Sequence, residues 1–99
     1  MLETVFDIET NGLLDVVDRV HVVSYKDETM REPESIYDYG DIQEFFKQGR
    51  IFIGHHIVGY DFPALDKVLQ VSKPKRLVDT YPLSVTLMPK RGSYGLEGF

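Results

Sequence analysis

The sequence of 99 residues contains no cysteine and no tryptophan. Without cysteine the chain forms no disulfide and offers no thiolate ligands for zinc, and this composition suits a reducing cytoplasm. No apolar run approaches the ~18 residues that a membrane-spanning helix needs, and Met1 leads directly into a strand-like segment rather than into a signal peptide. We therefore expect one small cytoplasmic domain with no membrane partner.

Basic residues are also scarce, with 11 lysines and arginines against 16 acidic residues and a net charge of −5. An acidic chain is not the usual expectation for a nucleic-acid-binding protein. The distribution is uneven, however, because residues 1–72 carry a net charge of −8 and residues 73–99 a net charge of +3. A basic part beside an acidic body can steer a polyanion toward a carboxylate site that metal ions neutralise. A solvated basic loop explains the same charges equally well.

Apolar patterning predicts an α/β fold. Alternating residues or short apolar runs predict strands at 3–8, 19–25, 35–37, 50–54 and 77–78. Helical spacing predicts one helix capped by Asp41 and another from about Asp61 to Gln70. A further helix is predicted over 82–88, and Ser93 is expected to cap another. The order predicts a mixed sheet with three antiparallel strands first, followed by parallel strands that alternate with helices, the one at 50–54 being buried on both faces.

Three acidic residues are placed where they can act together. Asp7 and Glu9 lie two residues apart on the first predicted strand, so their side chains project from the same face. Asp61 lies where the buried strand passes into a helix. Convergent carboxylates suit Mg²⁺ or Mn²⁺, and two such ions can cleave a phosphodiester. A D-x-E sequence is common by chance, and Asp61 considered alone is more simply a helix cap.

Two longer motifs carry a resemblance to a known family. Residues 6–14, F-D-I-E-T-N-G-L-L, resemble the first motif of the DEDD superfamily of 3′→5′ exonucleases, and residues 54–65, G-H-H-I-V-G-Y-D-F-P-A-L, resemble the second. The combination is most similar to the proofreading domain of family A DNA polymerases from phages. Residues 79–80 and 92–99 resemble stretches between the second and third motifs. The likeness implies a single partial ribonuclease H-like domain over residues 1–99, encoded by a phage and acting in a bacterial host.

The resemblance implies a role for each acid and a substrate. Asp7 and Glu9 would be ligands of the first Mg²⁺ or Mn²⁺ ion, with Asp7 bridging toward the second and Glu9 orienting the attacking water. Asp61 would serve the second ion. The substrate would be a single-stranded or frayed 3′ end of DNA, although a ribonuclease of the same superfamily shares the D-x-E chemistry.

Five further residues are candidates for binding the substrate. Thr10, Asn11, Gly12 and Leu13 follow the first motif and are placed to meet the terminal nucleotide. Leu13 either wedges against a base or packs in the core. His56 stands where the family has asparagine, and it either contacts the substrate strand, titrates near neutral pH, or is a tolerated replacement in a polar loop.

Two other polar residues near the motifs are given structural roles. Tyr60 is expected to belong to the core, and Asp79 is expected to accept hydrogen bonds from nearby backbone rather than bind metal. The family's third motif, a Tyr-x-x-x-Asp helix beyond residues 96–97, is not present, so the ribonuclease H-like domain is expected to be incomplete at its C-terminal end. Three alternatives stay open: a split polymerase completed by a second polypeptide, a truncated exonuclease, or a non-catalytic module. The last would dock on a polymerase or self-associate through the C-terminal end.

Overall fold

The computed structural model describes residues 1–81, which form a five-stranded mixed sheet with helices on one face. The strands are β1 (Glu3–Thr10), β2 (Val20–Asp27), β3 (Glu34–Ile36), β4 (Ile51–Gly54) and β5 (Leu77–Asp79). The helices are α1 (Tyr39–Lys47), a π-helical turn (Ile57–Asp61) and α2 (Phe62–Leu69). None of the helices in this part of the chain is both long and apolar enough to cross a membrane. The helix predicted over 82–88 and the cap predicted at Ser93 lie outside the described residues.

The strand order is β3-β2-β1-β4-β5. β1 pairs with β2, and β2 with β3, in antiparallel fashion, whereas β1 pairs with β4, and β4 with β5, in parallel. This confirms the prediction of an antiparallel meander followed by parallel strands. β1, β4 and β5 therefore end at the same side of the sheet, which we call the carboxyl edge; Thr10, Gly54 and Asp79 are their last residues.

An aromatic core lies between the sheet and the helices. Thr4, Phe6 and Ile8 are buried while the residues between them are exposed. The Phe6 ring lies 5.1 Å from that of Phe46 in α1 and 5.4 Å from that of Phe62 in α2, measured between centroids. Both helices therefore pack on the same face of β1. No element of residues 1–81 covers the opposite face, on which Asp7 and Glu9 lie.

Two details of the sequence prediction are wrong. The cap of α1 is Asp38 rather than Asp41: Asp38 has an extended backbone, and its Oδ2 accepts the Asp41 backbone N–H at 3.0 Å. β4 was predicted to be buried on both faces, but Ile51 and Ile53 are only half-buried. They alternate with buried residues because helices cover one face of this strand in the part of the chain that the structure describes.

Candidate active site

The π-helical turn places Asp61 at the carboxyl edge. β4 ends at Gly54, and the turn brings the chain back over the end of that strand. A Cβ atom on Gly54 would lie only 2.5 Å from Cγ2 of Ile57 and 3.1 Å from the Phe6 carbonyl oxygen, so the turn packs directly onto the strand end. π-Helical turns inside helices are frequent at functional sites. Here the turn runs straight into α2 and leaves Asp61 at the junction.

The Asp61 carboxyl is buried and has no partner among the described residues. The residue is 6% exposed, and none of the residues that the structure describes donates a hydrogen bond to its side chain. Its own backbone is helical and its side chain does not cap α2, so the interpretation of Asp61 as a helix cap is wrong. Buried polar groups in proteins are nearly always hydrogen-bonded. A carboxyl in this state therefore indicates a group that meets something other than residues 1–81.

The charge of Asp61 is destabilised by its surroundings. Burial raises its pKa to about 7, and the nearby charges of Asp7 and Asp79 contribute to the same rise. Asp7 is therefore close enough to Asp61 for the two carboxylates to repel each other. A bound cation would reverse both effects, because it favours the charged form of every carboxylate around it.

Asp7 and Glu9 are exposed on the same face of β1, as the sequence predicted. No described residue donates a hydrogen bond to either carboxylate. The charge of Asp7 contributes to the raised pKa of Asp61, whereas Glu9 is not among the charges that shift this pKa. Within residues 1–81, no three acidic or histidine side chains are gathered closely enough to hold a metal ion.

Asp79 is a buried carboxyl of the opposite kind. Its Oδ1 accepts the backbone N–H groups of His56 at 2.8 Å and Tyr81 at 2.9 Å, and its Oδ2 accepts that of Val58 at 2.8 Å. Three charge-assisted hydrogen bonds compensate its burial. This confirms the prediction that Asp79 binds backbone, and it shows that Asp79 shapes the loop that leads to Asp61.

A tyrosine joins the two motifs. The Tyr60 hydroxyl donates to the Gly12 carbonyl oxygen at 2.5 Å and lies 2.5 Å from Oγ1 of Thr10. Tyr60 also packs against the core with its ring, which agrees with the expected core position. The hydrogen bonds were not foreseen in the sequence. They fix the loop after D-x-E to the residue before Asp61, so the two acidic motifs are held as one unit.

The loop after β1 is held internally and exposes two apolar side chains. The Asn11 side-chain oxygen accepts the N–H groups of Asp18 at 3.2 Å and Arg19 at 3.1 Å, so this amide maintains the loop. Leu13 is 75% exposed and Val16 is 65% exposed. The alternative that Leu13 packs in the core is therefore wrong. Leu13 stands out from the loop near the end of β1.

His56 has an unusual backbone conformation. Its φ is positive, at 60°, in the left-handed region. Asparagine and histidine both occur in this region more often than most residues with side chains. The His56 ring is exposed, lies 4.9 Å from the Tyr81 ring, and covers Gly59, where a Cβ atom would lie 2.5 Å from its Cε1. Asparagine at position 56 would therefore be compatible with this backbone conformation.

One Tyr-x-x-x-Asp spacing does occur in the chain and was missed in the sequence. Tyr37 and Asp41 have it, but they lie between the two motifs rather than after them. Both line a shallow groove beside β3 together with Tyr25 and Glu44. Asp41 is not among the charges that act on Asp61. This pair is therefore not part of the surroundings of Asp61.

Comparison with known proteins leaves the family of this chain open. The chain matches none of the models of known protein families, and no curated protein sequence matches it. The features that point to a function are two stretches of sequence, residues 6–14 and 54–65, and the environment of Asp61.

Proposed function

We propose that this chain contributes Asp7, Glu9 and Asp61 to a two-metal 3′→5′ exonuclease site that removes nucleotides from the 3′ end of DNA. The observation that carries the proposal is the buried Asp61 carboxyl, which no described residue bonds and whose pKa Asp7 helps to raise. A carboxyl in this state is unfavourable unless a cation or a proton neutralises it.

The fold is compatible with this proposal. The five-stranded order, with an antiparallel meander followed by two parallel strands, suits a ribonuclease H-like sheet. In such a sheet the ends of the parallel strands meet at one edge, and loops there carry the chemistry. Asp61 and the end of β1 both lie at this carboxyl edge.

The donor set fits Mg²⁺ or Mn²⁺. Asp7, Glu9 and Asp61 offer hard carboxylate oxygens, which these ions prefer, and none of the three is bonded by another described side chain. Metal ions bound here would activate water and stabilise the leaving oxygen of a phosphodiester. Asp7 and Glu9 would hold them from β1 and Asp61 from the start of α2. Tyr60 acts as a positioning residue, since its hydroxyl ties the loop of Thr10 to the segment that ends at Asp61.

Substrate binding is proposed for the surface around the loop after β1. Leu13 is an exposed apolar side chain next to Gly12, whose carbonyl accepts the Tyr60 hydroxyl, and stacking against a base would bury it. Thr10, Asn11 and Gly12 form the backbone frame of that loop, and His56 presents an exposed ring on the neighbouring segment. Together they would contact the terminal nucleotide and its strand.

The proposal requires a fourth carboxylate. The resemblance implies four acids, and the motifs found here supply three. We propose that the fourth comes from outside these 99 residues, and the remainder of a split polymerase is one source of it. The 99-residue chain alone is then expected to be several orders of magnitude less active than the complete site. Removing one residue of a catalytic set that acts together removes most of the activity of the set.

Metal binding is the first test. Calorimetric titration with Mn²⁺ should show binding to the wild type that is lost in Asp7→Asn and in Asp61→Asn. Asp66→Asn is the matched control, because it removes the same charge from an exposed position of α2 and should bind Mn²⁺ as the wild type does. Absence of binding at millimolar Mn²⁺ would contradict the proposal.

Substrate choice is tested separately. DNA and RNA oligonucleotides labelled at the 5′ end are incubated with the chain at high enzyme concentration in Mn²⁺. Stepwise shortening of DNA from its 3′ end, with release of 5′-mononucleotides and loss in Asp7→Asn, is expected. Faster shortening of RNA would instead assign a ribonuclease.

A second function, assembly without catalysis, is favoured by one observation. Val5, Ile53 and Val78 pair across three adjacent strands on the face that no element of residues 1–81 covers. Val5 is 55% exposed and Val78 is 37% exposed. A second copy of this chain, which carries the same apolar row, could cover it in a symmetric contact.

Light scattering separates this alternative from catalysis. If the row mediates self-association, the wild type is a dimer and Val5→Lys is a monomer, whereas Asp7→Asn/Glu9→Gln stays dimeric. A monomeric wild type at high concentration contradicts the alternative and leaves the exonuclease proposal unaffected.

A further inference from the structure

A groove lies at the end of the molecule opposite to the carboxyl edge. It runs between the end of α1 and the segment 70–76, which joins α2 to β5, and encloses about 390 Å³. A more open continuation shares Phe46, Lys47, Pro74 and Lys75 with it and extends to Arg76. We call both parts together the basic groove.

The basic groove is positively charged although the chain as a whole is acidic. Lys47, Lys73, Lys75 and Arg76 line it, and no acidic residue among residues 1–81 does so. Lys73, Lys75 and Arg76 are exposed and form no ion pair with any described residue. Lys47 lies 3.5 Å from Glu44, but both side chains are about three-quarters exposed, and such pairs are weak.

A fifth cation at the far end of the basic groove is already used by the fold. Nη1 of Arg50 lies 2.9 Å from Oδ2 of Asp27 and donates to Oγ1 of Thr4, also at 2.9 Å. Both side chains of this ion pair are largely buried. Arg50 therefore holds β4 to β2, and the four remaining cations have no comparable structural task among the described residues.

The segment that carries three of these cations is anchored at both ends. At its start, Val71 is buried and its N–H donates to the Leu65 carbonyl, while the Gln70 N–H donates to the Asp66 carbonyl at 2.9 Å. At its end, the Arg76 carbonyl accepts the Phe52 N–H at 3.1 Å. A ligand would therefore meet a preformed row of charges and would lose little affinity in ordering the backbone.

The basic groove is distinct from the carboxylate site. Arg76 immediately precedes Leu77, which pairs with Phe52, and Glu3 pairs with Ile51. Arg76 thus lies level with Glu3, and Asp7 lies four residues farther along β1. At about 3.3 Å per residue the two sites are separated by roughly 13 Å along the strands.

We propose that the basic groove binds the phosphodiester backbone of a single-stranded nucleic acid. The three cations from Lys73 to Arg76 are spread along a segment that spans at most about 10 Å, so they suit successive phosphates better than one small anion. Lysine ammonium groups bind phosphate as point charges. The choice of a nucleic acid over another polyanion rests on the proposed function, since a strand held here lies on the same molecule as the carboxylates.

The test measures DNA binding without metal. Fluorescence anisotropy of a labelled oligothymidylate is recorded with the full chain in EDTA over a series of salt concentrations. Each phosphate contact with a single strand contributes about 0.7 to the slope of log affinity against log salt. Lys73→Gln/Lys75→Gln should therefore lower the magnitude of the slope by about 1.4. Lys26→Gln/Arg31→Gln, which removes the same charge from exposed positions elsewhere, should lower it clearly less.

The outcomes distinguish this proposal from the exonuclease proposal. Equal slopes for the two double variants would contradict DNA binding in the basic groove. The same holds if an oligoglutamate displaces the labelled DNA as effectively as unlabelled DNA of equal charge. Asp7→Asn/Asp61→Asn should bind DNA in EDTA at least as tightly as the wild type. Loss of Mn²⁺ binding in that variant concerns only the exonuclease site, so failure of DNA binding in the basic groove and failure of the metal site are measured separately.

Discussion

Asp61 and Asp79 are two buried carboxyls with opposite chemistry, 18 positions apart in the sequence. Asp79 is 8% exposed and accepts three backbone N–H groups, whereas Asp61 is 6% exposed and accepts none from residues 1–81. Burial alone therefore does not indicate function. The useful distinction is whether the fold itself compensates the buried charge.

Asp61→Asn is expected to stabilise the metal-free protein at pH 8. An unfolded aspartate has a pKa near 3.9 and folded Asp61 has a pKa of about 7, so the folded state holds a proton that the unfolded state has released between these values. Stability therefore falls as the pH rises from about 4 to about 7. The gain at pH 8 should be about 2 kcal/mol, roughly half of the full shift, because water at the sheet edge screens the charges.

Chemical denaturation at pH 8 and pH 4 measures this effect. At pH 4 the variant and the wild type should be nearly equal in stability, and saturating Mn²⁺ should remove the advantage of the variant at pH 8. Asp79→Asn is the contrasting control, since it loses charge-assisted hydrogen bonds and should destabilise by about 1–3 kcal/mol at pH 8. An equal gain for Asp61→Asn at both pH values would contradict the assigned pKa.

The left-handed backbone of His56 makes a second prediction. His56→Asn should leave the free energy of unfolding within about 0.5 kcal/mol of the wild type, since asparagine also adopts this conformation. His56→Val should destabilise by about 1–3 kcal/mol, because a β-branched side chain clashes there. Urea denaturation of both variants decides, and equal stability of the valine and asparagine variants would contradict the positive φ.

At the scale of the elements, α1 shows how a cap is chosen. Asp38 and Asp41 both precede the apolar positions of the helix, and sequence alone favours the one nearer to Ile42. The structure begins the helix at Tyr39, with Asp38 in an extended conformation. Asp41 instead lies in the first turn, where its N–H is the group being capped.

Asp38→Ala should destabilise the protein by about 1 kcal/mol, because it removes the acceptor for an otherwise unpaired N–H group. Asp41→Ala removes only a favourable charge near the helix N-terminus and should cost about 0.5 kcal/mol. Thermal unfolding followed by circular dichroism compares the two, with Asp38→Asn as a control that keeps a capping oxygen. A larger loss of stability in Asp41→Ala than in Asp38→Ala would indicate that Asp41 is the cap of α1.

The π-helical turn could not be predicted from the sequence. Residues 54–65 predict a glycine-bearing connection and a helix, which α2 confirms. The extra residue of the turn depends on packing, since Ile57 is fully buried and lies against the position of Gly54. No periodicity signals such a turn, because it contains a single turn of chain.

At the scale of the whole molecule, aromatic side chains hold both helices to the sheet. Phe52 is central, since it is fully buried and its ring centroid lies 5.4 Å from that of Phe45, 5.1 Å from that of Phe46 and 6.0 Å from that of Phe6. Edge-to-face aromatic pairs add to the stabilisation from the apolar area that they bury. One strand residue thereby connects β1 and α1.

Phe52→Ala is expected to destabilise the protein by about 3–5 kcal/mol, because the cavity between three rings cannot close. A small domain has a small free energy of unfolding, so most of the variant should be unfolded at about 37 °C. Val78→Ala is the control on the neighbouring strand, where the side chain is already 37% exposed, and it should cost less than about 1 kcal/mol. Urea denaturation gives both values, and similar losses would contradict the assignment of the core to one face.

Much of the fold follows from the sequence because its signals are local. Alternation in residues 3–8 identifies the buried face of β1 and places Asp7 and Glu9 together on the other. The short apolar run at 50–54 and the helical stripe that follows give the parallel part of the sheet. The sequence thus predicts an antiparallel meander followed by parallel strands, whereas the order β3-β2-β1-β4-β5 is known only from the structure.

The sequence by itself determined which residues are acidic candidates and on which side of β1 two of them lie, because side-chain direction in a strand alternates with position. Only the tertiary structure decided that Asp79 is satisfied by backbone while Asp61 is left unbonded by residues 1–81. It also decided that Lys73, Lys75 and Arg76 lie at the opposite end from the carboxylates. Desolvation and hydrogen bonding depend on what surrounds a group in space. Residues 7, 12, 60 and 79 come together around the segment that ends at Asp61 only after the chain has folded.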